Sequence, residues 1–519
     1  MCIFIFDHVL DIASTPLKRQ AAGDWKRWRT KTKNFPFSLS QIGQFGFQPF
    51  SDQLSRRKYN ALKSSIKRDP YEVWYHKDNY KSLGDMSITP EIYIKETVER
   101  ASTTQRLQNV MAKVLRGKNI GFVVMGGSIS AGGGLTSDFS NLRGIYYRVF
   151  IDWWQKAVQP FTGSVITLHN LALGGTASNF FSFCYKTFMR PGDTINIALL
   201  EFSVNDHIVF KDSRHSRALS LEKLSRQLLS EESSPAVIFV NFIGGNNAIP
   251  VCDNLENHGQ TFLATHYGIT SVSTRQSLCP NSGKVHVYSM FSSDHNHAGI
   301  LAHAQIAMMI INIFRKALLK AIESSEQNLQ NHLSSYLLPK SAFFKDDTET
   351  LPDPLCYSLI TPDVTDRFFR PSLYVREIAN TGFTNIRGIP IGYRKETVVQ
   401  TEPAPVRNDG YSGWKAEAAY STLKLRFFVP FSRSEISNTV VIAFRTTGGG
   451  GKAKVWLDND EAGVMVDTSS NFGHTRLIPV AHHVPFGSHV LNFKTVNDGK
   501  FVLCGVMLGA KSHLVNDMK

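Results

Sequence analysis

Residues 120–134 read Ile-Gly-Phe-Val-Val-Met-Gly-Gly-Ser-Ile-Ser-Ala-Gly-Gly-Gly. The apolar run Ile120–Met125 is cut off by Gly126-Gly127, and Ser128 follows at once. A short apolar run bounded by glycines predicts a buried parallel strand rather than a helix. The glycines let the backbone turn tightly and present the next side chain at the strand's carboxyl end, where open α/β sheets bind their ligands. Ser128 is a candidate nucleophile at that tip; the plainer alternative is an ordinary glycine-rich turn. The Gly-Lys-Ser/Thr that a phosphate-cradling loop needs is missing.

Outward from this strand, the pattern is one of alternation. Upstream, Ile94, Val98, Leu107, Val110, Met111, Val114 and Leu115 recur at helical spacing, and Gly117 serves as the stop. Downstream, Tyr146–Val158 predicts a helix, Ser164–His169 a strand, and Phe180–Tyr185 a helical segment. Ile195–Leu200 and Ala236–Val240 predict strands separated by a helix over Leu219–Leu229. Phe262–Tyr267 reads as the end of a helix and Val285–Tyr288 as a short final strand, before a long amphipathic helix to about Ile322. The sum is a five-stranded parallel sheet covered by helices.

Residues 324–355 are polar and proline-bearing with the acidic run Asp346-Asp347-Thr-Glu349, which suits a linker. Beyond it, Leu423–Val429, Thr439–Phe444, Lys452–Leu457, Val490–Phe493 and Phe501–Val506 are short β-rich runs separated by turn signals, the texture of a sandwich. Trp414 and Trp456 in this region serve either as core or as platforms for sugar rings. The expected organisation is a basic irregular extension over 1–90, an α/β domain over 91–323, a linker over 324–355 and a β-sandwich-like domain over 356–519.

At 519 residues, with 42% hydrophobic and 19% charged content, the chain is globular rather than disordered. Lysine plus arginine (57) exceed aspartate plus glutamate (43), and much of the excess precedes residue 120, as in Lys26-Arg27-Trp28-Arg29. No nucleic-acid-binding motif accompanies this charge, so a solvated basic arm is expected and no nucleic-acid partner. The six cysteines show neither metal spacing nor a paired framework, although Cys252 and Cys279 bracket one loop-rich segment and can bridge in an oxidising compartment. Residues 1–13 make a poor signal peptide because two aspartates interrupt them and no basic region precedes them. No run approaches ~18 apolar residues, so no transmembrane segment is expected, and the compartment stays open.

A serine needs a base to take its proton, and the base needs a third group to hold it. Asp294 and His297 stand three apart on the loop before the last helix, so one loop can set carboxylate against imidazole, although His295 is an equal candidate base on composition. Gly175, after the second strand, can turn its N–H toward a developing oxyanion, and Asn205, after the third, can offer a side-chain amide. A metal reading of Asp294, His295 and His297 lacks a fourth ligand, so neither metal nor cofactor is expected.

The ordered set resembles the SGNH hydrolases, also called GDSL-type esterases and lipases. Gly126-Gly127-Ser128-Ile129 is similar to the family's Gly-Asp-Ser-Leu/Ile block, and Gly175 in Asn170-Leu-Ala-Leu-Gly-Gly-Thr matches the glycine of the second. Ser203-Val204-Asn205-Asp206 is similar to Gly-X-Asn-Asp, and Asp294-His-Asn-His297 to Asp-X-X-His. The resemblance spans roughly 118–322 and implies a flavodoxin-like, three-layer α/β/α domain with a parallel five-stranded sheet, followed here by the β-sandwich domain. It implies Ser128 as nucleophile, His297 rather than His295 as base, Asp294 as its orienter, and an oxyanion hole of the Ser128 N–H, the Gly175 N–H and the Asn205 side chain. Gly127 and Ser203 depart from the family's aspartate and glycine, which bears on how the Ser128 loop is held and how closely a substrate approaches. The implied activity is hydrolysis of an acyl ester, acetyl among them, of a carbohydrate or other alcohol. The alternatives are an O-acyltransferase on the same scaffold and a non-catalytic glycan-binding module.

Overall fold

A computed structural model describes residues 53–68, 105–135, 144–210, 214–244, 251–279, 287–288, 290–326, 342–343, 353–362, 370–386, 412–431 and 438–510. Ile94, Val98, the linker's acidic run and the basic runs before residue 53 lie outside the described residues. At the centre is a parallel sheet of β1 Ile120–Gly126, β2 Ile166–Asn170, β3 Ile197–Glu201, β4 Ala236–Asn241 and β5 Thr270–Ser273, in the order β2-β1-β3-β4-β5. This is the flavodoxin-like order, and the winding reverses between β1 and β3, the point where such sheets bind ligands. β1, β3 and β4 are buried along their whole length, as expected for apolar runs covered on both faces.

Period-two alternation sends β1 side chains to two cores. Phe122 and Val124 join the layer of helices Gln105–Leu115, Tyr146–Ala157 and Ile300–Glu326, where Phe150 stacks on Phe122 (5.3 Å between ring centroids) and meets Phe314 (4.5 Å). Val123 and Met125 face the layer of helices Ser178–Cys184, Arg214–Leu229 and Gln260–Tyr267. Truncating a ring such as Phe150 to Ala costs ~3–5 kcal/mol.

Two expectations of secondary structure are corrected. The fifth strand is Thr270–Ser273 and not Val285–Tyr288: Val287 and Tyr288 are helical, and residues 285–286 lie outside the described residues. β5 is an edge strand paired with β4 alone, so it needs little apolar side chain, and its Ser271 hydroxyl accepts a hydrogen bond from the Asn241 amide (3.0 Å). Within 1–90, a helix spans Gln53–Lys67 instead of irregular chain. Tyr59, Leu62 and Ile66, spaced by three and four, turn one narrow face onto the core, which lysines and arginines around them obscure in the sequence. The Tyr59 hydroxyl donates to Leu115 O (3.2 Å), and Arg315 Nη2 donates to Lys67 O (3.0 Å).

The described residues from Leu355 onward form two antiparallel sheets packed face to face. One contains β7 Val375–Thr381, β10 Thr422–Val429, β12 Lys452–Leu457, β13 Val464–Asp467 and β15 Gly487–Thr495, in the order β13-β12-β15-β10-β7. The other contains β8 Thr384–Ile386, β9 Gly413–Ala416, β11 Thr439–Arg445, β14 Thr475–Ala481 and β16 Phe501–Gly509, ordered β14-β11-β16-β9-β8, with β6 Leu355–Ser358 also on β16. β10 alternates as a half-buried strand, with Leu423, Leu425, Phe427 and Val429 inward. β11 and β16 are buried on both faces. Val440, Ile442 and Phe444 enter the sandwich core, while Val441, Ala443, Val502, Cys504 and Met507 pack with Phe180, Phe181 and Phe183 of the α/β region. Trp414 is core: it is buried, stacks on Tyr357 and donates from Nε1 to Glu377 (2.9 Å).

The cysteines do form a framework. Cys252 bonds Cys279, and Cys184 bonds Cys356, joining helix Ser178–Cys184 to β6 across a sequence separation of 172 that no local spacing reveals. Cys504 is free and buried, and burial pushes its thiol up to about 12.

Candidate active site

β1 ends at Gly126, and residues 127–134 wind into tight turns, with Ala131 N–H donating to Gly127 O (3.0 Å) and Gly133 N–H to Ser128 O (2.7 Å). The glycines here answer to space. A Cβ on Gly127 would stand 2.0 Å from Asn205 Oδ1, and one on Gly134, at φ +79°, would stand 2.8 Å from His297 Cβ. Side chains at these positions would displace Asn205 and His297.

The loop before helix Ile300–Glu326 is closed by Ser292 N–H on His297 O (2.9 Å) and Gly299 N–H on Met290 O (2.7 Å). Inside it, Asp294 Oδ1 accepts from the Ser292 hydroxyl (2.6 Å), Asn296 N–H (2.9 Å) and His297 N–H (3.0 Å). Asp294 Oδ2 meets His297 Nδ1 at 2.7 Å, and His297 Nε2 meets Ser128 Oγ at 2.8 Å. The bond from His297, then those from Ser292 and the backbone, hold the Asp294 carboxyl well below the usual carboxylate range despite partial burial. An ionised Asp294 fixes the proton on Nδ1, which leaves Nε2 to accept from the Ser128 hydroxyl. His295 takes no part in this row; it is exposed, with φ +54° at the loop's turn.

Gly175 lies in the loop after β2 at φ +65°. Asn205 is buried in the first turn of helix Ser203–Phe210, and its amide lies against Gly127. The neighbouring Asp206 Oδ1 accepts from Ser178 N–H (2.8 Å), tying the end of β3 to the helix that follows Gly175. At the departure Ser203, the hydroxyl donates to Phe242 O (3.2 Å).

Several residues at this edge carried no signal in the sequence. Ser292 steadies Asp294. Glu201, the last residue of β3, is fully buried and accepts hydrogen bonds from the Ser128 turn. From the sandwich, Arg445 Nη1 donates to Gly174 O (2.9 Å) and Thr475 Oγ1 (2.8 Å), and Thr475 N–H donates to Gly175 O (2.8 Å). A Cβ on Gly175 would stand 2.4 Å from Gly473 O. Nothing near position 445 in the sequence announces this contact. Among the described residues, no group of three or more His, Cys, Asp or Glu is placed to hold a metal ion.

Neither a protein-family model nor a curated protein matches the sequence. Among solved structures, the chain is similar to a two-domain esterase active on acetylated mannans, co-crystallised with mannopentaose. The TM-score is 0.54 at 18% identity, covering 82% of this chain and 98% of that one. A second structure of a two-domain esterase active on acetylated mannans gives 0.54 at 19% identity, covering 82% and 99%. These likenesses establish the shared architecture, a parallel α/β sheet joined to an antiparallel β domain.

Proposed function

We propose that the protein is a serine ester hydrolase of the SGNH, GDSL-type, kind. It removes an acyl group such as acetyl from a carbohydrate hydroxyl through a Ser-His-Asp acyl-enzyme mechanism. The observation that carries this reading is the row Ser128 Oγ, His297 Nε2 and Nδ1, Asp294 Oδ2, with successive contacts of 2.8 and 2.7 Å. Its support in the fold is the architecture shared with two-domain esterases active on acetylated mannans. Disulfides persist in oxidising compartments, and the Cys184–Cys356 and Cys252–Cys279 bonds agree with work on such a polysaccharide outside a reducing cytosol.

In this mechanism His297 Nε2 takes the Ser128 proton as Oγ attacks the ester carbonyl. The Ser128 N–H, the Gly175 N–H and the Asn205 amide receive the oxyanion, each donor being worth ~3 kcal/mol in the transition state. The imidazolium, steadied by Asp294, returns the proton to the departing alcohol. Water then repeats the sequence on the acyl-enzyme and releases the acid.

The test is fluorophosphonate labelling of the purified protein together with release of acetate from p-nitrophenyl acetate and acetylated mannan, in wild type, Ser128→Ala and His297→Ala. Labelling and turnover in wild type that both substitutions abolish are expected. A folded wild-type protein that neither labels nor turns over either ester would overturn the reading.

A further inference from the structure

Position 127 is glycine, and a Cβ there would stand 2.0 Å from Asn205 Oδ1. The turn that carries Ser128 therefore has no side chain at 127 to fasten it. The groups it presents downward are the N–H of Gly127, the N–H of Ser130 and the Ser130 hydroxyl. All three converge on one atom, Glu201 Oε2, at 3.3, 3.3 and 3.1 Å. Glu201 is delivered to this spot by strand register, since it pairs with Gly126 where β3 runs alongside β1. The Ser130 hydroxyl also lies 2.9 Å from the Tyr146 hydroxyl.

We propose that Glu201 is a positioning residue of the ester-cleaving site, its carboxyl gripping residues 127 and 130 from beneath so that Ser128 is held between two fixed points. The inference rests on the serine hydrolase reading. It assigns Glu201 no contact with substrate; its effect passes through the placement of Ser128 and its N–H.

The grip is made by a neutral acid at neutral pH. Burial pushes the Glu201 carboxyl up to about 8, against the hydrogen bonds from Ser130 and Gly127, and the nearby Asp206 carboxyl pushes the same way. Around it, the Tyr146 phenol is itself raised well above its ordinary value by burial and by Glu201, and the ring of His303, stacked on Tyr146, is pushed down to about 3, chiefly by burial. Tyr146 and His303 thus add no charge at neutral pH. Glu201 Oε1 hydrogen-bonds to no described residue, and a proton there leaves Oε2 free to accept. A neutral carboxyl holds the turn without setting a negative charge behind the oxyanion; above about pH 8 that charge appears and opposes the transition state.

The experiment compares Glu201→Ala and Glu201→Gln with wild type by kcat and KM on p-nitrophenyl acetate from pH 6 to 9.5. It also follows amide hydrogen exchange at Ser130, because the Gly127 N–H is shared with the Glu201 backbone carbonyl (3.3 Å), which the substitutions keep. Glu201→Ala is expected to lose ~100-fold in kcat, the cost of a nucleophile misplaced by about 1 Å, with KM little changed and the Ser130 amide exchanging faster. Glu201→Gln, whose carbonyl still accepts, keeps most of the neutral-pH kcat and the slow exchange but loses the decline above pH 8. Should Glu201→Ala fail to fold, Glu201→Asp, which draws the carboxyl back by one methylene, replaces it. Unchanged kcat and exchange in Glu201→Ala, or a wild-type alkaline decline in Glu201→Gln, would overturn the proposal. If wild type cleaves no ester, the hydrolase reading fails, while the exchange at Ser130 still decides whether the Glu201 carboxyl holds the turn.

Discussion

The Ser128 turn and the Gly175 loop stand at the same edge of one sheet, yet they are fastened from opposite sides. The turn is held from within the α/β region, by Glu201 on the strand next to its own. The loop is held from the sandwich, by Arg445 and Thr475, with Arg445 standing 271 residues beyond Gly174. The difference separates two chemical tasks. Attack, as proposed, needs Ser128, His297 and Asp294, all of the α/β region. Stabilising the oxyanion, in the same proposal, needs the Gly175 N–H, whose peptide is pinned by the sandwich. The sandwich is then part of the site's construction, and the two sides of the site should fail differently when disturbed.

The largest effect belongs to the attacking side. Ser128→Ala and His297→Ala should each lower kcat by ~10⁴–10⁶-fold, and the double variant should lose little more, because the two act as one unit. Residual turnover above the uncatalysed rate would measure what the Gly175 side contributes alone. Losses that multiply in the double variant would mean that the 2.8 Å contact between them is not the working one.

Next comes the sandwich's hold on the loop. Arg445→Ala should lower kcat by ~10²-fold, the scale of one oxyanion donor, with KM little changed. Arg445→Lys should recover only part, since an ammonium cannot span the Gly174 carbonyl and the Thr475 hydroxyl as a planar guanidinium does. If Arg445→Ala lowers the melting temperature but leaves kcat per folded molecule intact, the contrast collapses. The α/β region would then hold Gly175 unaided, through Leu173 N–H on Gly126 O (3.0 Å) and Asp206 on Ser178.

A third step sharpens the contrast by loosening the domains without touching the loop. The Cys184–Cys356 bond ties the helix after Gly175 to the sandwich. Cys356→Ser should cost ~2–4 kcal/mol in denaturant unfolding, with kcat reduced less than in Arg445→Ala. A kcat loss as large as that of Arg445→Ala would transfer the role from the guanidinium to domain docking as a whole.

What was legible in the sequence was what lies close along the chain. Asp294 and His297 share one loop, so their contact was within local reach, with the family resemblance choosing His297 over His295, and Ser128 follows its strand directly. The central strands β10, β11, β12, β15 and β16 read correctly because their apolar content is dense. Of the edge strands, β2 read correctly but β5 and β13 did not, because an edge strand packs less and carries more polar residues. Glu201, Arg445 and the Cys184–Cys356 bond were out of reach for one physical reason. Their partners are set by strand register and domain docking, which no local period encodes. The helix Gln53–Lys67 was missed because three apolar residues among many cations make too narrow a stripe.

The smallest effect tests the carboxyls on stability, and the two move in opposite directions. Asp294, held below the ordinary carboxylate range, binds fewer protons folded than unfolded; its contribution is present above its unfolded value and fades as pH falls. Glu201 is the reverse. Raised from 4.5 to about 8, it keeps a proton in the folded protein that the unfolded chain gives up, so stability is lost as pH rises through that window. Glu201→Gln removes this titration, and its melting temperature should fall less between pH 5 and pH 8 than that of wild type, by a few degrees. Parallel curves for the two proteins would mean that Glu201 is already ionised under the turn. The Ser128 turn would then be held by an anion as strongly charged as Arg445 on the other side, and the fastening of attack and of oxyanion would differ in sign of charge as well as in direction.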